Sequence, residues 1–385
     1  MDDQPIPSSE GRGTSGRDER SHRAVRSAIS RRSFLATGIT TAAVAGAGCI
    51  DIIGGSSSEE VTYRHRFDRS GIGSAGYDAG VELGIWEEEG LSVDFDISSG
   101  SEAAAQSVAS GADEFANAEV AAVLKLIDEG APLTIIAQET TPLGGIISLD
   151  DTGIETWDDL TGQVVGRFPW GVTGSLGAAA MQQEGVDSTA VEWRNVNPGA
   201  HIVLLLEGEI DAAVAYYPQA VARLNHMGHE TTVFPLSSVL DHLGNTVVTH
   251  DNLVTEDPEI VNQFIRGWLR AHRTFITDPD EVIDIHESIV AEFDEVVERK
   301  VLGSVLASRI APEIDLVHGM GWTPEDRMEN TLEVLAGIDL IDDELPEGTT
   351  FTNQFIEENQ TLAIETAELY RDILTADYDV GPGDV

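Results

Sequence analysis

Lysine is nearly absent from this chain: of 385 residues only Lys125 and Lys300 are lysine. Cysteine occurs once, at Cys49, which excludes an internal disulfide and any cysteine cluster that could hold a metal. No stretch of 18 apolar residues is present, so no segment reads as an ordinary membrane-spanning helix. A His-Glu-x-x-His zinc motif, a Gly-x-Ser-x-Gly nucleophile elbow and a Gly-rich loop closed by lysine are also missing. Positive charge as a whole is scarce: 22 Lys and Arg face 68 Asp and Glu, a formal net charge of −46. That balance excludes nucleic acid as a partner, because binding it needs a basic face. The acidic residues are spread along the chain rather than gathered in a block, unlike an acidic interaction tail. Such a surface suits concentrated salt, where the Debye length falls to about 3 Å and carboxylates cease to repel one another. Hydrophobic residues still make up 41% of the chain, enough for a sizeable core.

The first fifty residues read as an address. Residues 1–30 are polar and Arg-rich, and Arg31-Arg32-Ser33-Phe34-Leu35 follows the twin-arginine export pattern. An uncharged stretch from Phe34 to Gly48 is too short to span a bilayer. It ends at Ala47-Gly48-Cys49, where small residues before a thiol resemble a lipidation site; Gly46 departs from the Leu or Val usual there. A buried structural cysteine is the alternative. Residues 1–48 are expected to be a twin-arginine lipoprotein signal peptide, and residues 49–60, with Gly54-Gly55-Ser56-Ser57-Ser58, a flexible tether. Removing residues 1–48 takes away seven arginines and five acidic residues, so the mature chain is more acidic still.

From Val61 onward, short strand patterns alternate with helix patterns. Val61-Tyr63-His65-Phe67 alternates as a half-buried strand, Asp78 to Glu89 reads as a helix ended by Gly90, and Val93-Phe95-Ile97 as the next strand. A helix over 101–109, a short strand at Glu114-Phe115-Ala116, a helix over 119–127 and an apolar strand over 133–137 complete a first α/β round. A second round runs from about Gly144 to Phe234, and beyond a strand over 245–249 only helix patterns follow, opened by Pro258. This rhythm predicts parallel-rich sheets flanked by helices.

Several segments, taken together and in order over roughly residues 61–360, resemble the type II periplasmic binding proteins of sulfonate, taurine, nitrate and thiamine-pyrimidine importers. They are Gly84-Ile85-Trp86-Glu87-Glu88-Glu89-Gly90-Leu91-Ser92-Val93, Gly111-Ala112-Asp113-Glu114-Phe115-Ala116-Asn117-Ala118, and Asp159-Leu160-Thr161-Gly162-Gln163-Val164-Val165-Gly166. Gly208-Glu209-Ile210-Asp211-Ala212-Ala213 and Phe351-Thr352-Asn353-Gln354-Phe355 belong to the same set. The resemblance implies an α/β fold of two lobes joined by two crossover hinge strands, with a helical C-terminal tail. Lobe 1 is then expected over 61–142 plus 246–385 and lobe 2 over 143–245, with the strands near Ile146 and Val247 acting as the hinge. It further implies an extracytoplasmic solute-binding lipoprotein of an ABC importer. Such a protein is anchored to the outer face of the cell membrane, is monomeric, and hands a small nitrogen- or sulfur-containing ligand to a permease. Two other functions compete: an enzyme of thiamine-pyrimidine-synthesis type on the same fold, and a ligand-sensing extracytoplasmic domain. The first lacks the cysteines that such enzymes use; the second lacks a membrane span.

In open α/β sheets ligands lie beyond the carboxyl ends of strands, near helix starts. This rule selects Tyr77 after the Gly-rich loop over 69–77, Ser101 after Ser98-Ser99-Gly100, and Asn117 and Glu119 before the next helix. In the second half it selects Trp170, Thr173, Gly174 and Ser175 in Phe168-Pro169-Trp170-Gly171-Val172-Thr173-Gly174-Ser175, and Tyr216 and Tyr217 after a short strand. Asn197 and His201 flank one more helix start. Each position also has a plain structural explanation: Ser101 as a helix cap, Glu119 as a favourable charge at a helix start, one of the tyrosines as core. Aromatic side chains point to a flat heterocycle; hydroxyls and amides point to an oxyanion. No catalytic residue, cofactor or metal is expected. His226 and His229 stand three apart, but at a helix end, where histidine is favoured anyway.

Overall fold

The computed structural model describes residues 58–375, apart from 67–68, 70, 169–171, 198, 292, 343–344 and 346–349. The expected signal peptide, Arg31, Arg32, Cys49 and Trp170 therefore lie outside the described residues.

Among the described residues, ten strands form two five-stranded sheets. The first contains β1 (Glu59–His65), β2 (Leu91–Ile97), β3 (Phe115–Glu119) and β4 (Leu133–Gln138). The second contains β5 (Gly144–Leu149), β6 (Val164–Arg167), β7 (Glu192–Asn195), β8 (Ala212–Tyr216) and β9 (Thr231–Pro235). The last strand, β10 (Asn245–His250), returns to the first sheet, giving the orders β2-β1-β3-β10-β4 and β7-β6-β8-β5-β9. Each sheet is parallel-rich but mixed: four strands run one way and one, β10 in the first and β5 in the second, runs against them. β1 runs parallel to β2 and β3, whereas β10 runs antiparallel to β3 and β4. In the second sheet β6 is parallel to β7 and β8, and β5 is antiparallel to β8 and β9. The result is a two-lobed α/β architecture, each sheet being flanked by helices.

The helices of the first half are α1 (Ala75–Glu82), α2 (Ile85–Glu88), α3 (Ser101–Ala109), α4 (Val120–Asp128), α5 (Thr173–Gln183), α6 (Ala200–Leu206) and α7 (Tyr217–His226). After β10 come α8 (Asp251–Glu256), α9 (Pro258–Thr277), α10 (Pro279–Ile289), α11 (Glu295–Ala307), α12 (Pro312–His318), α13 (Glu325–Gly337), α14 (Gln354–Glu358) and α15 (Gln360–Thr375). Among the described residues, no helix is long and apolar enough to cross a membrane. The single helix expected over 78–89 is two. Gly84 adopts φ +67, a left-handed conformation that ends α1 and restarts the chain as α2, which delivers Trp86 to the core. There Trp86 stacks near Phe264 of α9, whose ring lies 3.9 Å from that of Phe115.

The two passages between sheets are the segments 139–143 and 236–244. The passages lead into β5 and β10, the strands near Ile146 and Val247 expected to carry the hinge; those two residues are themselves buried, with strands on both sides. The passages lie against each other: the Glu139 amide donates to the Asn245 carbonyl at 2.7 Å, and the Asn245 side-chain amide donates to the Thr140 hydroxyl at 2.9 Å. Gly244 permits that approach, because a Cβ there would overlap the carbonyl oxygens of Thr140 and Thr141.

Candidate functional site

A cavity of about 1070 Å³ opens between the lobes. Strand ends, and the loops and helix starts next to them, build its walls. His65 and Arg66 leave β1, Ser98 to Ser101 join β2 to α3, and Glu119 ends β3. From the second sheet come Phe168 beyond β6, Tyr216 at the end of β8, and Gln219 and Arg223 on α7. His201 and Ile202 of α6, and Ser304, Ser308 and Arg309 at and after the end of α11, close it. Parallel strands place their carboxyl ends on one side of a sheet, so the α/β rhythm itself aims these loops into one space.

Charge is handled by pairing. Glu139, on the first passage and 1% exposed, accepts from Arg309 and from the Tyr77 hydroxyl, and lies 3.7 Å from Arg66. Arg309 also donates to the Gly73 carbonyl at 2.6 Å and to the Tyr77 oxygen at 3.0 Å. Arg66 donates to the Asn117 side chain and lies 5.8 Å from the centre of the Tyr216 ring, across the cavity from its own sheet. Arg223 of α7 pairs with Glu298 of α11 at 2.6 Å, and the second oxygen of Glu298 accepts from the Ile72 amide at 2.9 Å. Thus three of the chain's few cations converge on one cavity. His201 is held uncharged: burial first, then the positive charge of Arg223, push its pKa down to about 4.

The residues expected from sequence fall into distinct places. Ser101, Glu119 and Tyr216 line the cavity. The Ser101 hydroxyl accepts from the Glu119 amide at 3.1 Å, so it ties two of the loops together. Asn117 is fully buried behind the wall, where it orients Arg66. Tyr77 is core: its ring meets Tyr63 edge-on at 5.2 Å and His272 at 5.6 Å, and its hydroxyl buttresses Arg309 and Glu139 from behind. Its phenol is correspondingly held above the ordinary tyrosine pKa by burial. Tyr217 turns away from the cavity and packs on Gly145, whose missing Cβ would sit 2.8 Å from the ring. Thr173 is the first residue of α5; Gly174 is buried against the Arg167 side chain, and Ser175 is exposed on α5. In that loop Phe168 reaches the cavity. Arg66, Arg223 and Arg309 were not among the expected site residues. The signal that marks them is scarcity: in a chain with so few cations, an arginine at a strand end is worth attention. Among the described residues no group of three His, Cys, Asp or Glu side chains could hold a metal, and His226 pairs with Lys300 at 2.9 Å.

The family described as NMT1/THI5 like matches residues 73–282, more than half of the chain and most of both cavity walls. The chain belongs to that family. Among curated proteins, this NMT1/THI5-like chain is 23% identical over 231 residues to the riboflavin-binding protein RibY of Chloroflexus aurantiacus. That match covers 58% of the chain and 62% of the relative. It is 26% identical over 211 residues to a formylaminopyrimidine-binding protein of Halalkalibacterium halodurans, covering 53% of the chain and 63% of the relative. The matches thus span less than two thirds of either relative's length. Among solved structures, the periplasmic aliphatic sulphonate binding protein SsuA of Escherichia coli aligns with a TM-score of 0.60 at 14% identity, over 81% of this chain and 99% of that one. At that identity the likeness concerns the fold: the NMT1/THI5-like chain has the two-lobed periplasmic-binding-protein fold.

Proposed function

We propose that this chain is the ligand-capturing component of an ABC importer and performs no chemistry of its own. The observation that carries this reading is the cavity, walled by side chains of both lobes at the carboxyl ends of their strands. A ligand touching both walls favours the state in which they are close, and only such differential contact can drive closure. The two curated relatives, named as binding proteins for riboflavin and for a formylaminopyrimidine, support the same reading. The proposed ligand is a small nitrogen- or sulfur-containing organic molecule. The cavity stands at the upper end of the roughly 300–1,000 Å³ usual for such sites, far larger than nitrate requires. Export through Arg31-Arg32, a lipid anchor at Cys49, delivery to a membrane permease and a surface suited to concentrated salt complete the proposal.

The test is a thermal-shift and calorimetric panel of riboflavin, formylaminopyrimidine, taurine, methanesulfonate and nitrate. A ligand present at 100 times its Kd is expected to stabilise the protein by about 2.7 kcal/mol. Tyr216→Ala is expected to weaken that ligand tenfold or more, since a buried aromatic contact is worth about 1–3 kcal/mol. No binding across the panel at millimolar concentration would overturn the importer reading. For the address, Arg31→Lys with Arg32→Lys is expected to retain the protein inside the cell, and Cys49→Ser to release it from the membrane.

A further inference from the structure

His201 is the second residue of α6; it lines the cavity and is only 9% exposed. Phe168 fixes its ring edge-on, with centroids 5.7 Å apart and planes at 81°. The two ring nitrogens stand in different surroundings. Nδ1 is turned into the protein, with no accessible surface and no hydrogen-bonding partner. Nε2 is the open nitrogen, on the cavity side, and it too has no partner among the described residues.

That asymmetry decides where the proton sits. His201 is uncharged, so one nitrogen carries N–H and the other a lone pair. A proton on Nδ1 would bury a donor with nothing to receive it, on a ring that already feels the positive charge of Arg223. Buried N–H groups without an acceptor are rarer in proteins than under-satisfied acceptors. A proton on Nε2 places the donor where water or a ligand accepts it, and leaves a lone pair inside, the better neighbour for a cation. Arg223 adds a second donor on the same wall. Its Nη2 is committed to Glu298, but the side chain is 35% exposed and Nη1 is free among the described residues.

Resting on the importer reading, we propose that His201 is a specificity-determining residue that offers the ligand Nε2–H and not a lone pair, with Arg223 Nη1–H donating from the same wall. The ligand therefore turns an acceptor towards α6 and α7, a carbonyl or an oxyanion oxygen, and keeps its own N–H groups on other edges. A ligand N–H brought to this wall would meet donors only. Such a mismatch leaves polar hydrogens desolvated and unpaired, which discriminates more sharply than a change of size does in an apolar pocket.

The test uses the full chain with methanesulfonate and taurine as oxyanion probes, and riboflavin and formylaminopyrimidine as carbonyl probes. Binding by the first pair identifies the acceptor as an oxyanion, and binding by the second as a carbonyl; the variants are expected to act alike on either. His201→Phe keeps a ring beside Phe168 and removes the donor, and is expected to weaken the bound probe roughly tenfold or more. The amide of a glutamine reaches about as far as Nε2, whereas that of an asparagine reaches only as far as Nδ1. His201→Gln is therefore expected to retain most of the affinity, and His201→Asn to lose as much as His201→Phe. In the ligand-free wild type a nitrogen-15 spectrum is expected to show the proton on Nε2, and that N–H resonance is expected to shift on saturation. Three outcomes overturn the proposal while leaving the importer reading intact: a proton on Nδ1, full affinity of a folded His201→Phe protein, or equal affinities of the Gln and Asn proteins. Absence of binding by every probe overturns both.

Discussion

Asp315, in α12, is 6% exposed and accepts the Ala311 amide at 2.6 Å. Burial raises its pKa to about 7, with the charge of Glu313 adding and that of Arg327 opposing. Because the folded value lies above the unfolded one of about 3.9, the group's contribution to stability is complete below that value and lost as pH rises through about 7. Asp315→Asn, neutral throughout, is therefore expected to be more stable than the wild type at pH 8, by on the order of 2 kcal/mol, and to converge with it near pH 4. Urea unfolding of both proteins at the two pH values measures this; an equal difference at both would show that Asp315 does not titrate between them. The adjacent tyrosines divide in a different way. Tyr216→Ala is expected to cost affinity and little stability, whereas Tyr217→Ala, which empties the contact with Gly145, is expected to cost on the order of 2 kcal/mol of stability and little affinity. The sequence leaves that choice open because β8 is buried on both faces, with no alternation to follow, and ends between these two residues, where the strand becomes α7. Tyr77 shows the opposite limit: its loop obeys the strand-end rule, but the rule locates a loop and not the direction of a side chain. The arginine cluster is harder to read, since Arg66 and Arg309 meet only through Glu139, at separations no local pattern can carry.

Among elements, α7 and α11 have the most at stake. Arg223 and His226 on α7 meet Glu298 and Lys300 on α11, and Glu298 continues the chain of contacts to the Ile72 amide beside β1. Glu298→Gln keeps the shape and removes the charge. It is expected to cost about 1–2 kcal/mol, less than a fully buried pair because Arg223 is 35% exposed. It is also expected to raise the radius of gyration of the ligand-free protein in small-angle scattering; an unchanged radius would mean that this pair does not hold the lobes. Gly244→Ala, forced against two backbone carbonyls, is expected to cost about 1–3 kcal/mol in a melting experiment. Most elements were legible from periodicity and punctuation: α3 begins at Ser101 and ends at Ala109 as expected, and β4 reads as an apolar run because both its faces are covered. Strand direction was not. β10 is buried on nearly every residue, so its pattern is equally compatible with parallel or antiparallel pairing, and only the return of the chain from the second sheet decides.

Over the whole molecule the formal charge of −46 is the dominant electrostatic term. The described arginines are largely spent in specific pairs, including those at the cavity, and leave most surface carboxylates to be screened by salt. Lowering salt from molar to 0.1 M lengthens the Debye distance from about 3 Å to about 10 Å, so the native circular-dichroism signal is expected to fall in dilute buffer and return with added KCl. Full native signal at low salt would refute the proposed adaptation to brine. The pairing of the two passages has a consequence of another kind. Gln138 and Thr246 are cross-strand partners, and Glu139 is bonded to Asn245 just beyond them. The chain therefore enters and leaves the second lobe at the open end of what is, in outline, a β-hairpin, so that this lobe is a domain grafted into a turn. Replacing residues 140–244 by the dipeptide Asn-Gly would restore the tight turn that two antiparallel neighbours ordinarily share. A first lobe able to fold in that truncated form would mark the protein as modular, with its cavity assembled from a host and a guest.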